Sequence, residues 1–364
     1  MKRTFFFLIS LFISVAFQAQ EITLQTSLDS QVDETSGLIY LEGRLITHND
    51  SGGEAALYEI DENSGNVVRT VQITNASNVD WEDIALDDEY IYIGDFGNNN
   101  GNRTDLKIYK ISQADYLSST TVSAEVIQFS YADQSDFTSA PQSTNFDAEG
   151  LIAYKGSLYL FTKNWLDNRT HIYEIAKNPG TFSVERIDEF NSNGLITGAT
   201  FNTLSGIVVL TGYAGFQPFV IELTGFTGGK FSNGTIERYD VNPPLTSSVQ
   251  IEGIASVERR KYYLSAERNA LGKPSLYVLQ STTLSLGDEE RLNELVYPNP
   301  FHEVLHFRPE LNIDRVEIYD AVGQRVFQSD RPNRSISLEN LNHGIYIIRI
   351  YSEGNSSSIK LVKG

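Results

Sequence analysis

Apolar and polar residues of this chain alternate over short runs, and the runs recur in sets. Arg44-Leu-Ile-Thr-His-Asn49, Tyr90-Ile-Tyr-Ile-Gly-Asp95, Ser157-Leu-Tyr-Leu-Phe-Thr162, Gly206-Ile-Val-Val-Leu-Thr211 and Lys261-Tyr-Tyr-Leu-Ser-Ala266 are one such set. Successive side chains of a strand point to opposite faces, so alternation over Ile, Val, Leu, Tyr and Phe predicts strands rather than helices. Each run is preceded by a lead-in: Glu34-Thr-Ser-Gly-Leu-Ile-Tyr40, Glu82-Asp-Ile-Ala85, Glu149-Gly-Leu-Ile-Ala-Tyr154, Thr197-Gly-Ala-Thr-Phe201 and Glu252-Gly-Ile-Ala-Ser-Val257. Each is followed by a third strand: Ala56 to Ile60, Leu106 to Ile111, Thr170 to Ile175, Pro218 to Leu223 and Ser275 to Leu279.

Tight turns join the first two strands, as at Leu41-Glu-Gly43 and Tyr154-Lys-Gly156, and Val67 to Ile73 and Val126 to Tyr131 supply fourth strands. Four-stranded units repeated in this way predict a β-propeller, whose ring closure removes exposed sheet edges. The fifth unit lacks a fourth strand before Gly287-Asp-Glu-Glu290, and Glu21 to Ser27 is free to complete it as a latch. Five blades is the count; six is the alternative, because Glu82 and Glu149 are 67 positions apart (149 − 82). A β-sandwich is the competing architecture, but sandwiches lack such regular self-similarity.

Outside the repeats, residues 1–20 read as a secretory signal peptide: Lys2 and Arg3, an apolar run from Phe5 to Phe17, then Gln18-Ala-Gln20. No other stretch is apolar enough to span a bilayer, so the mature chain is expected to carry no transmembrane segment. The domain expectation is therefore a signal peptide at 1–20, a propeller at 21–285, a linker at 286–296 and a small antiparallel β-sandwich at 297–364, all-β throughout. Cysteine is absent, which removes thiol nucleophiles and cysteine-held metals.

The formal net charge of −19 is concentrated in the propeller: Glu21 to Arg291 holds 18 basic and 38 acidic residues, a balance of −20. Such a surface repels nucleic acid and favours cations. In an antiparallel blade the lead-in to the first strand and the loop after the second open on one face. The acidic lead-ins at Glu34, Glu82, Glu149 and Glu252 are expected to ring one mouth of the central channel, with Asp95 beside them. Carboxylates there either accept backbone N–H groups at turns or hold a hard cation, for which Ca²⁺ fits the oxygen-rich set best. Glu34, Glu82, Asp95, Glu149 and Glu252 are the candidate metal ligands. His48, Asn49, Trp81, Asn164, Trp165, Tyr213, Glu267 and Arg268 are the candidate ligand-binding residues. The tryptophans suit sugar or peptide binding, or else packing between blades. Asp95-Phe-Gly-Asn-Asn-Asn-Gly-Asn-Arg103 has the composition of a calcium loop without its ligand spacing, and reads equally as a Gly/Asn-rich turn. No serine-hydrolase, P-loop or dinucleotide fingerprint is present, so no catalytic set is named and no organic cofactor is expected.

Asp147-Ala-Glu149-Gly-Leu and Ile251-Glu252-Gly-Ile resemble the exported propellers related to phytase-like and quorum-regulator-associated (SdiA-regulated-type) proteins. That resemblance implies Ca²⁺ among carboxylates and phosphoesterase or lactonase chemistry, although the propeller lacks a basic face for a phosphate. The C-terminal resemblance is more specific. Tyr297-Pro-Asn-Pro-Phe301, Val316 to Val326, Leu338 to Ile350 and Ser358 to Lys363 follow the order and spacing of the type A sorting domain of the type IX secretion system. It implies a source in the Bacteroidetes, the secretion machinery as a partner, and a secreted or outer-membrane surface location. The functional expectation is an exported propeller that binds an extracellular glycan, peptide or small molecule at its acidic face, with Ca²⁺. The alternative is a Ca²⁺-dependent hydrolase using the same face, with Glu82, Asp95, Glu149 and Glu252 on the metal.

Overall fold

The structure is a computed structural model that describes residues 20–215, 217–242, 250–268, 272–281, 296–307, 313–352 and 355–364. The expected signal peptide, Gln20 excepted, lies outside the described residues, as does the expected linker up to Val296.

Strand β1 (Gln20–Ser27) comes first. The first blade is β2 (Thr35–Leu41), β3 (Arg44–Asn49), β4 (Ala56–Ile60) and β5 (Val67–Ile73). The second is β6 (Trp81–Leu86), β7 (Tyr90–Asp95), β8 (Lys107–Ser112) and β10 (Glu125–Tyr131); helix α1 (Gln113–Ser118) and β9 (Thr121–Val122) lie between its last two strands. The third is β11 (Ala148–Tyr154), β12 (Ser157–Thr162), β13 (Arg169–Ala176) and β15 (Arg186–Asn191), with β14 (Gly180–Val184) before the last. The fourth is β16 (Leu195–Asn202), β17 (Ile207–Ala214), β18 (Gln217–Thr224) and β19 (Thr235–Asn242). The fifth is β20 (Ile251–Ser256), β21 (Lys261–Ala266) and β22 (Ser275–Gln280), and β1 completes it, pairing antiparallel with β22 from Ile22 opposite Leu279 to Ser27 opposite Ser275. The latch read from the sequence is therefore present.

Closure is visible in the packing. The inner strands β2, β6, β11, β16 and β20 each pack on the next, and β20 returns to β2. One apolar core fills each gap between neighbouring blades. Ile46, Leu57, Trp81 and Ile93 lie between the first and second, and Leu38, Leu45, Tyr263 and Leu276 close the fifth against the first. Both faces of every blade pack against a neighbour, so the expected alternation gives way to strands buried along nearly their whole length, as in β3, β7, β12 and β21. The long second unit holds no sixth blade. Its extra length is α1, β9 and the segment from Ala132 to Asp147. Strand β9 adds parallel to the outer edge of the first blade, and β14 to that of the second, covering edges that would otherwise be exposed.

The C-terminal unit has two sheets. One is β23 (Val296–Tyr297), β24 (Val304–Phe307) and β27 (Ser335–Ser337); the other is β26 (Arg325–Asp330), β25 (Arg315–Tyr319), β28 (Gly344–Ser352) and β29 (Asn355–Lys363). Phe301, Leu305 and Phe307 meet Val316, Ile318, Ile348 and Leu361 in one core, giving the expected sandwich with the apolar β28 inside its sheet.

Candidate functional site

Each inner strand carries a register shift at the same point: between Thr35 and Leu38, Trp81 and Asp83, Ala148 and Gly150, Ile196 and Gly198, and Ile251 and Gly253. A bulge re-aims one side chain out of the ladder. The residues it turns out are Ser36, Glu82, Glu149, Thr197 and Glu252. Glu34 is thus two residues off: the first blade puts Ser36 at the ring position, and Glu34 lies exposed at the rim. The lead-in Glu34-Thr-Ser-Gly does not share the register of Glu149-Gly, because its strand bulges over two residues before Leu38.

The residue after each turned-out side chain is glycine in four blades, and the space there is small. A Cβ at Gly198 would lie 2.1 Å from the Glu252 carbonyl oxygen, and one at Gly253 would lie 2.3 Å from that of Ser36. The second blade alone places a larger residue there, Asp83. Its Oδ2 accepts the N–H of Leu151 at 2.8 Å and of Ala199 at 3.0 Å, and its Oδ1 that of Ile84 at 2.8 Å.

The returning strands make a second ring. Asn49, Asp95, Thr162, Gly212 and Ala266 pair with the residue just before each bulge. The next residues are Asp50, Phe96, Lys163, Tyr213 and Glu267. Phe96 is buried in an inter-blade core, and the other four line a cleft of about 370 Å³ with Trp165 and Glu252.

Carboxylates crowd this mouth. Oxygens of Asp50, Asp80 and Glu82 all lie within 4.8 Å of one another, and so do those of Glu82, Asp147 and Glu149, so Glu82 belongs to both triads. Gly97 permits this crowding, since a Cβ there would sit 2.0 Å from Glu82 Oε1. The two triads differ in partners. Asp147 accepts the N–H of Asn98 at 2.6 Å and the indole N–H of Trp165 at 2.8 Å, and Glu149 takes the ammonium of Lys163 at 2.9 Å. Among the described residues no donor reaches the carboxylates of Asp50, Asp80 or Glu82, and Asp50 Oδ1 is buried without a partner.

The electrostatics follow. Burial, then the Glu149, Asp50, Asp80 and Asp147 charges, raise Glu82 well above the usual carboxylate range. Burial pushes Asp50 up to about 7 and Asp80 to about 6, Asp80 also being opposed by Arg103. Glu252 rises to about 8 by burial, against the pull of Lys163. Burial disfavours the Lys163 ammonium, but Glu149, Glu252, Tyr213 and Asp147 outweigh it and hold its pKa above the usual value. A group of carboxylates without donors, Glu82 buried and Asp50 and Asp80 half-buried, is what a bound hard cation relieves.

Several sequence candidates take other roles. Asp95 is neutralised by Arg103 at 2.9 Å and Lys107 at 3.5 Å, which removes it from the metal set. Trp81 is fully buried, donates its indole N–H to the Ser77 carbonyl and packs edge-on against His48, so it serves the inter-blade core. His48 is itself buried, and burial lowers its pKa to about 4, leaving a neutral ring inside the blade. Arg268 is exposed at the rim on Asp33. Asn49 donates to the Gln31 carbonyl, and Asn164 accepts from Thr162 beneath Lys163. The 95–103 segment is a structural turn: Asn98 bonds Phe146, Asp147 and Arg103, tying the second blade to the third. Glu82, Glu149, Glu252, Trp165, Tyr213 and Glu267 do converge. Asp50, Asp80, Asp147 and Lys163 join them without having been singled out.

Residues 295–364 match the secretion system C-terminal sorting domain family. The sandwich is a type IX sorting domain. A chain bearing this sorting domain is secreted or held at the outer-membrane surface, and the secretion machinery is its partner through that domain; no helix among the described residues is long and apolar enough to cross a membrane. An ulvan lyase of Nonlabens ulvanivorans is 24% identical over 163 residues, which are 39% of this chain and 30% of that protein, so the chain spans under a third of the relative's length. An exo-β-1,3-galactanase of Phanerochaete chrysosporium superimposes with a TM-score of 0.44 at 9% identity, over 94% of this chain and 99% of that one. An arabinanase of Bacillus subtilis does so with 0.42 at 13%, over 70% and 96%. PorZ, a surface component of the type IX secretion system of Porphyromonas gingivalis, gives 0.34 at 13%, over 91% and 45%. None of these likenesses assigns an activity to the propeller.

Proposed function

We propose that this exported propeller binds an extracellular ligand in the cleft at its acidic mouth, with one Ca²⁺ ion held by Asp50, Asp80 and Glu82. The observation that carries the reading is the state of Glu82: 5% exposed, shared by two carboxylate triads, and reached by no donor among the described residues. Burying such a group costs several kcal/mol unless a cation compensates it. The ion would supply a positive centre for hydroxyl or carbonyl oxygens of the ligand. Beside it, Trp165 and Tyr213 offer aromatic faces in a cleft that also contains Glu252 and Glu267. Aromatic walls with convergent oxygen acceptors suit a polyhydroxylated ring, so a glycan is the favoured ligand class.

Thermal melting of the full chain in chelator, followed by Ca²⁺ add-back, tests the ion. At a hundredfold excess over Kd the expected stabilisation is about 2.7 kcal/mol. A melting temperature that ignores Ca²⁺ sinks the reading. A glycan and peptide array with and without Ca²⁺ then tests the ligand, and Trp165→Ala is expected to abolish any Ca²⁺-dependent hit.

A hydrolase reading draws on Glu252, which burial holds protonated near neutral pH and which lines the same cleft, as a general acid does. Turnover of ester or lactone substrates that Glu252→Gln abolishes, with Ca²⁺ affinity retained, would favour it.

A further inference from the structure

The two triads around Glu82 invite two ions, yet they are not equivalent. We infer that the ammonium of Lys163 is a tethered cation that occupies the second place and limits the mouth to one exchangeable divalent ion. This rests on the Ca²⁺ reading above and sharpens it.

The register carries the argument. Lys163 holds in the third blade the position that Asp50 and Glu267 hold in the first and fifth, immediately after the residue that pairs beside the bulge. Two of the five equivalent positions thus carry carboxylates, and this one carries a cation. The side chain is 7% exposed and its Nζ lies 2.9 Å from Glu149 Oε1. It also sits 5.2 Å from the Trp165 ring centre and 5.7 Å from that of Tyr213, aromatic faces that favour a cation. In the triad of Glu82, Asp147 and Glu149, both oxygens of Asp147 accept N–H groups and Glu149 holds this ammonium. A divalent ion there would share Glu149 with a positive charge at hydrogen-bond distance. In the other triad, Asp50 Oδ1 is buried and unpartnered, and Glu82 has no donor among the described residues. The mouth therefore sets a carboxylate triad with a fixed positive partner beside one with none among the described residues, the two joined through Glu82.

The chemistry also explains why a lysine is tolerated at a buried site. Removing the partner of a buried charge is strongly unfavourable, so Lys163 without Glu149 would be destabilising, whereas Glu149 without Lys163 can be served by an incoming cation.

Isothermal titration of Ca²⁺ into the chelator-treated full chain, with its stoichiometry checked by metal analysis, tests this. The wild type is expected to bind one ion and Lys163→Met two, the second abolished again by adding Glu149→Gln. Lys163→Arg keeps the charge and is expected to bind one. Far-UV circular dichroism confirms that each variant is folded. Should Lys163→Met fail to fold, Lys163→Gln replaces it, and the wild-type stoichiometry remains a test in its own right. Two ions in the wild type, or one in every folded neutral variant, overturns the tethered-cation inference while leaving the Ca²⁺ reading intact. No ion in any of them removes the Ca²⁺ reading itself.

Discussion

The carboxylate of Asp83, on the inner strand of the second blade, accepts the backbone N–H of Leu151 on the third at 2.8 Å. The same oxygen takes the N–H of Ala199 on the fourth at 3.0 Å. One side chain thus stitches three blades at the axis, and each N–H it accepts would otherwise be buried without a partner. Asp83→Ala is expected to cost about 3–5 kcal/mol, read as a lower urea midpoint, and Asp83→Asn somewhat less because the amide keeps one acceptor. A midpoint unchanged within error would show that water or relaxation satisfies these groups.

The latch makes the next prediction. Ile22 on β1 is fully buried between the fourth and fifth blades, while Leu24 on the same strand is 61% exposed. Ile22→Ala is expected to destabilise by about 2–4 kcal/mol. Leu24→Ala should change stability by about 0.5 kcal/mol or less. Equal effects would argue against the pairing with β22.

Gly97 controls the shape of the cation site. With no side chain it lets Glu82 Oε1 occupy space that a Cβ would enter at 2.0 Å. Gly97→Ala is expected to displace the Glu82 carboxylate and weaken Ca²⁺ by about tenfold, roughly 1.4 kcal/mol, with the melting temperature in chelator nearly unchanged. Glu82→Gln is expected to abolish the Ca²⁺ response and to raise stability in chelator, because burial and the neighbouring carboxylates disfavour the ionised carboxyl and an amide has no charge to lose.

Away from the mouth, Asp87 in the turn of the second blade meets Lys177 of the third at 2.7 Å and accepts the Tyr92 hydroxyl at 2.8 Å. Burial alone would raise its pKa, but Lys177, the turn N–H groups and Tyr92 together lower it. A carboxylate depressed in the folded state contributes stability above its unfolded value and loses it as pH falls through the folded one. Asp87→Asn should therefore cost about 1 kcal/mol at pH 7, with the difference from wild type shrinking as pH drops below about 4. A difference constant from pH 7 to pH 3 would assign the effect to packing instead.

The blade order, the latch and the sorting domain were legible because each rests on strand periodicity or on a dense local motif. The short apolar, tyrosine-rich runs at Tyr90 to Asp95 and at Lys261 to Ala266 need no knowledge of neighbours, and the leftover Glu21 to Ser27 strand follows from counting. The site was legible in part. Glu82, Glu149 and Glu252 precede a strand in the same way, so their convergence could be read. Glu34 looked identical in a linear alignment, and only the bulge, which depends on the pairing partner, moves the ring position to Ser36. Asp95 could not be told from a ligand because its neutralisers, Arg103 and Lys107, lie in the following loop and strand. Trp81 stands beside two acids in the chain yet turns into the core, since strand neighbours face opposite ways. Lys163 was the hardest to weigh. A lone lysine between a threonine and an asparagine shows nothing until its equivalence with Asp50 and Glu267 is fixed by register.

The borrowed strand has a topological consequence. In the fifth blade β20 begins at the acidic mouth, β21 returns to it, and β22 therefore runs away from it; Ile22 at the start of β1 lies opposite Leu279 at the end of β22. Whatever precedes β1 and whatever follows β22 are thus tethered at the same corner, on the underside of the wheel.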